Sequence, residues 1–104
     1  MSTIPSTALR NDTAKLKRVA RVMKTISHPA RLAIVELLLE QGPLSVKTIY
    51  ESIGISQSNA SQHLKALEDV EVLISERDGK QILYRVLNPT VPRLLDCVQE
   101  CVDC

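Results

Sequence analysis

The period of the apolar residues changes several times along the chain, and each change marks an element. Leu16, Val19, Ala20, Met23 and Ile26 recur at helical spacing. His28-Pro29 ends that run, because the residue before a proline avoids the helical region. Pro29 itself suits the first turn of a new helix. The next segment, Ala30 to about Glu40, is apolar almost all round, which predicts a central, buried helix. Gly42-Pro43 closes it. Ser45 is a fair N-cap for a third helix, with Val46, Ile49, Tyr50 and Ile53 at i, i+3, i+4 and i+7. Gly54 ends that helix. Only Ile55 and Ser56 then separate it from a fourth, capped by Ser56 and running to about Val70. Two helices joined by so short a glycine-containing turn form a helix-turn-helix pattern.

Val72 to Arg77 and Lys80 to Leu87 are β-rich runs around Asp78-Gly79, a strong short-range hairpin signal. Asn88 and Pro89 end the hairpin. A last helix runs from about Thr90 towards Cys104, with Val91, Leu94, Leu95, Val98 and Val102 as its apolar stripe. The pattern predicts a mostly α fold with a small β-hairpin, a winged helix-turn-helix in the order α-α-α-α-β-β-α. Residues 1–12 read as a polar, flexible tail and residues 13–104 as one winged-helix domain.

Composition narrows the picture. A chain of 104 residues leaves no room for a second domain. Val, Leu and Ile supply 32 residues, while Phe and Trp are absent and Tyr numbers two, so the core is aliphatic. No apolar run reaches the length of a signal peptide or of a membrane span. The expectation is a cytoplasmic protein with reduced thiols and no membrane partner. No nucleophile–base–acid grouping falls on one face and no Gly-rich phosphate loop occurs, so neither an enzyme nor a required cofactor is expected. The net charge of +1 argues, taken alone, against a nucleic-acid binder. It conceals a cancellation: residues 1–35 carry seven cations against Asp12, and the other residues carry six cations against eleven acids.

The fourth helix divides cleanly at 100° per residue. Ala60, Leu64 and Leu67 make a core stripe. Ser58, Ser61, Gln62 and Lys65 lie opposite, with no acidic residue before Glu68. Such a face fits the major groove, where Gln reads adenine, Ser reaches several base edges and Lys holds a phosphate or guanine. A plain solvated face looks the same in isolation; the turn before it and the hairpin after it favour DNA. Arg77 and Lys80 flank the hairpin tip, beside Gln81, placed to clamp phosphates, although Glu76 and Asp78 partly offset their charge. His63 leans towards the core side, as a packed or phosphate-touching residue rather than a base reader.

Three motifs resemble the ArsR/SmtB family of small dimeric winged-helix repressors. They are Ser27-His28-Pro29-Ala30-Arg31-Leu32 before an aliphatic helix, Ile55-Ser56-Gln57-Ser58, and Ser61-Gln62-His63-Leu64-Lys65-Ala66-Leu67. The resemblance covers about residues 15–95 and includes the wing at Asp78-Gly79-Lys80. It implies a homodimer through the first and last helices, double-stranded DNA with an inverted-repeat operator as partner, and an inducer that weakens binding. It maps Ser56, Gln57, Ser58, Asn59, Ser61, Gln62, His63 and Lys65 onto the family's recognition motif, and Arg77, Lys80 and Gln81 onto its wing. Arg31 falls on the signature arginine, read as structural. The segment Leu44-Ser45-Val46-Lys47-Thr48 lacks the cysteines of the family's third-helix metal motif, and the last helix lacks the histidines of its zinc site.

All three cysteines, Cys97, Cys101 and Cys104, fall in the last eight residues, within 60° of one helix face. They flank the apolar stripe, where they either pad an interface or sense a thiol-directed inducer. Cys97 and Cys104 are about 10 Å apart along an intact helix. Three sulfurs meet one ion only if the last turn unwinds or a partner subunit contributes. Thiolates select soft ions, and resemblance to the family's C-terminal cysteine variants puts arsenite first, ahead of cadmium, zinc or copper(I). A redox- or persulfide-responsive repressor using the same cysteines is the alternative. A winged-helix protein-interaction module that binds no DNA is the alternative of another class.

Overall fold

The computed structural model describes residues 8–87 and 91–103. Most of the expected N-terminal tail, the Asn88-Pro89 stop, the expected helix start at Thr90 and the expected ligand Cys104 lie outside the described residues. A short 3-10 turn, Leu9–Asn11, leads into α1 (Thr13–Ile26) and α2 (Pro29–Gln41). There follow β1 (Leu44–Ser45), α3 (Val46–Ile53), α4 (Gln57–Asp69), β2 (Leu73–Asp78), β3 (Gln81–Val86) and α5 (Val91–Asp103).

Local chemistry sets these boundaries. Each of the first four helices begins where a side chain accepts from an otherwise unpaired backbone N–H. Asp12 accepts from Lys15 N at 3.0 Å, Ser45 from Thr48 N at 3.2 Å and Ser56 from Asn59 N at 3.1 Å. His28 does the same for α2, its Nδ1 accepting from Ala30 N at 3.1 Å, with Pro29 in the first turn as expected. Gly54, at φ 82°, lets α3 end in the left-handed conformation that opens the tight turn into α4.

The core lies between these elements. Ile34, Val35 and Leu38 of α2, Ile49 of α3, Leu64 and Leu67 of α4, and Val72 and Leu73 at the head of β2 are buried together. Ile26 closes one end and Val91 another. The expectation that α2 is buried all round needs correction: Leu32 is 40% exposed, because neighbours cover one side of the helix.

Among the described residues the sheet has three antiparallel strands in the order β1-β3-β2, one more than the pattern indicated. Leu44 pairs with Tyr84 and Ser45 with Leu83, which anchors the root of the wing beside α3. The wing tip is also displaced by one residue. Asp78 pairs with Gln81, so the two loop residues are Gly79 and Lys80 rather than Asp78 and Gly79. Gly79 has φ 64° and Lys80 is not in the positive-φ region, the pattern of a turn with glycine first.

The two outermost helices leave apolar residues uncovered. Leu16 and Met23 of α1 are 40% and 58% exposed, and Leu94, Val98 and Val102 of α5 are 41%, 53% and 78% exposed. An open groove of about 580 Å³ lies between α1, the turn after α4, and Leu94.

Candidate nucleic-acid interface

Helix α4 is held by its inner stripe. Ala60, Leu64 and Leu67 are completely buried. That fixes the rotation of the helix, and Gln57, Ser58, Asn59, Ser61, Gln62 and Lys65 are all exposed as a result. Ser56 is exposed too, but its oxygen already caps the helix. Its hydroxyl hydrogen is left to donate. The acid that follows this face is turned to structural use: Ser75 of β2 donates to Glu68 Oε2 at 2.8 Å, tying the wing to the end of α4. Burial pushes the Tyr84 phenol up, and the Glu68 charge adds to the effect.

The wing residues divide between two faces. Alternation along β2 puts Arg77 on the same sheet face as Ser75, the face that meets α4. Gln81 falls on the opposite face, with Glu76, Leu83 and Arg85. Lys80 occupies the exposed tip. Glu76 does less to offset the tip cations than its position suggested, because Arg85 Nε reaches its Oε1 at 2.7 Å.

His63 is half-buried at the flank of the exposed face. Its Nδ1 accepts from Arg31 Nε at 3.1 Å, and Arg31 Nη1 also donates to the Thr25 carbonyl at 3.0 Å. The structural role read for Arg31 thus has a definite form, a bracket joining the end of α1, the start of α2 and α4. The His28 ring lies 4.7 Å from that of His63, tilted by 50°. Burial first, then the charges of His28 and Arg31, hold His63 below the ordinary histidine range.

Cys97 and Cys101 are exposed and free on α5. Among the described residues no three or more His, Cys, Asp or Glu side chains group as a metal site. No helix of the described residues is long and apolar enough to cross a membrane.

Residues 26–76, from the last residue of α1 into β2, match a family model described as a helix-turn-helix domain. The chain is 37% identical over 81 residues to the uncharacterized HTH-type transcriptional regulator Rv0081 of Mycobacterium tuberculosis, covering 78% of this chain and 69% of the relative. A homodimeric winged helix-turn-helix DNA-binding domain from Mycobacterium bovis, described as a possible ArsR-family transcriptional regulator, superposes with a TM-score of 0.80 at 32% identity. That match covers 99% of this chain and 91% of the other. The chain belongs to the ArsR/SmtB-like winged helix-turn-helix transcriptional regulators. As a regulator of this family it is not an enzyme. The antimony-specific transcriptional repressor AntR has the same fold, with a TM-score of 0.75 and 25% identity over 99% of this chain and 86% of the other.

Proposed function

We propose that this regulator is a dimeric repressor that lays α4 in the major groove of an inverted-repeat operator. The observation that carries the reading is the division of α4. Three completely buried residues fix its rotation, and Ser58, Ser61, Gln62 and Lys65 are left exposed on one polar face. In this reading Gln62, with Ser58 and Ser61, meets base edges and Lys65 a phosphate or guanine. Ser56, Gln57 and Asn59 meet the DNA at the helix start, where this motif makes its base contacts. Arg77, Lys80 and Gln81 reach the backbone from the wing, and His63 touches a phosphate.

A second copy accounts for the uncovered apolar residues of α1 and α5. The homodimeric M. bovis relative supports that arrangement. Charge supports it as well. Lys15, Lys17, Arg18, Arg21 and Lys24 are exposed on α1, while Asp96, Glu100 and Asp103 are exposed on α5. Pairing one protomer's α1 with its partner's α5 buries apolar surface between opposite charges.

The inducer in this reading is arsenite or another soft, thiol-seeking metal ion, captured by Cys97 and Cys101 with Cys104 or a partner cysteine. The exposed thiols one turn apart on α5 support it, and so does the likeness to an antimony-specific repressor. Capture there acts on the helix assigned to the dimer, and so on the spacing of the two α4 helices.

The groove face is tested by Gln62→Ala combined with Lys65→Ala, titrated onto operator DNA at several salt concentrations. The expected outcome is a loss of affinity of about tenfold or more, with a shallower dependence on salt. Unchanged affinity and slope would place the DNA elsewhere on the molecule.

A further inference from the structure

The contact between Arg31 and His63 decides which nitrogen of the His63 ring carries a proton. A guanidinium has only donors and stays protonated. For Arg31 Nε to lie 3.1 Å from His63 Nδ1 as a donor, Nδ1 must hold a free lone pair. The ring is then neutral, and its one N–H is at Nε2. A second proton, on Nδ1, would set two donors against each other. Arg31 is itself held by its bond to the Thr25 carbonyl at 3.0 Å. The His28 ring confines His63 from another side at 4.7 Å, and His28 is fixed by its own bond to Ala30 N. Among the described residues no protein group accepts from His63 Nε2. The histidine lies one turn after exposed Asn59 and next to exposed Gln62. That is the flank of the α4 face, where a helix in a groove meets the sugar–phosphate backbone.

We propose that Arg31 is a positioning residue for DNA binding: it locks His63 as the Nε2–H tautomer, so that α4 presents a neutral, oriented donor to a DNA phosphate. The proposal rests on the reading of α4 as the DNA-facing helix. Because the donor is neutral, it adds affinity and orientation without releasing a counterion, unlike Lys65. The low proton affinity of His63 agrees with a neutral ring. The bracket also gives the Arg31 guanidinium a task that a lysine cannot perform, since one planar group must reach a carbonyl and a ring nitrogen together.

The test combines ¹⁵N NMR of the histidine rings near pH 7.5 with operator binding across a salt series, using full-length protein. Wild type is expected to show His63 as the Nε2–H tautomer alone, and Arg31→Gln to admit a measurable share of the Nδ1–H form. His63→Ala should weaken operator binding by about tenfold with an unchanged salt slope. Lys65→Ala should reduce that slope by about 0.9 per protomer. Arg31→Gln should weaken binding in the wild-type background and add nothing to the loss in His63→Ala. Should Arg31→Gln fail to fold, the wild-type spectrum and the His63→Ala titration decide the matter alone. An Nδ1–H tautomer, undiminished binding by His63→Ala, a slope that changes with it, or additive losses would each overturn the proposal. If Gln62→Ala with Lys65→Ala loses binding while His63→Ala does not, this proposal fails and the α4 reading stands. If neither variant loses binding, the α4 reading itself has failed.

Discussion

Cys97 and Cys101 stand four residues apart on α5, so their sulfurs occupy successive turns about 6 Å apart along the axis. Both are exposed, and two thiolates leave a three-coordinate ion one ligand short. At this scale the expected outcome is that arsenite releases wild-type protein from its operator and leaves a Cys97→Ser, Cys101→Ser variant bound. Anisotropy of labelled DNA reads both, with a persulfide donor run beside the arsenite. Release of both proteins alike would remove Cys97 and Cys101 from the mechanism, and release by the donor alone would make the sensor a redox one. The clustering of these thiols was legible in the sequence, and so was the exposed face of α4. Both depend on residues three or four apart, which periodicity orders directly. The bracket from Arg31 to His63 was not legible, because it joins residues 32 positions apart. The imidazole cap on α2 escaped for another reason: histidine is not among the usual capping side chains.

Helix α4 ends in a motif that strains one residue. Val72 N bonds to the Leu67 carbonyl and Glu71 N to the Glu68 carbonyl, both at 3.0 Å, the paired bonds of a Schellman ending. Glu71 therefore takes φ 62°, a left-handed conformation that glycine adopts without steric cost. Buried Val72 and Leu67 provide the apolar contact that accompanies such an ending. Glu71→Gly is expected to stabilise the protein by about 1 kcal/mol, measured by chemical denaturation with the slope unchanged. A loss of stability would mean that the carboxylate makes an interaction worth more than the strain. Element order was readable because caps, Gly54 and the aliphatic runs are local signals. Strand β1 was not, since two residues after Pro43 carry no period, and its existence depends on Tyr84 and Leu83, which lie 40 and 38 residues further along the chain than their partners. The wing was found but shifted by one residue. Asp78-Gly79 reads as the turn, yet pairing of Asp78 with Gln81 makes Gly79 the first loop residue.

For the whole molecule, near-neutral net charge hides an arrangement. The cations of α1 and the acids of α5 are all exposed, on two helices whose apolar residues a single chain leaves open. A second copy joins these features. It also sets two α4 helices at a fixed distance, which turns one polar helix face into a reader of a repeated sequence. The most direct measurement is selection from a pool of random DNA duplexes by the full-length protein. The expected product is an inverted repeat, with half-sites about 10–10.5 base pairs apart centre to centre or a multiple of that, bound by two protomers. An unenriched pool, or a single half-site held by one protomer, would contradict a dimeric repressor that reads DNA through α4.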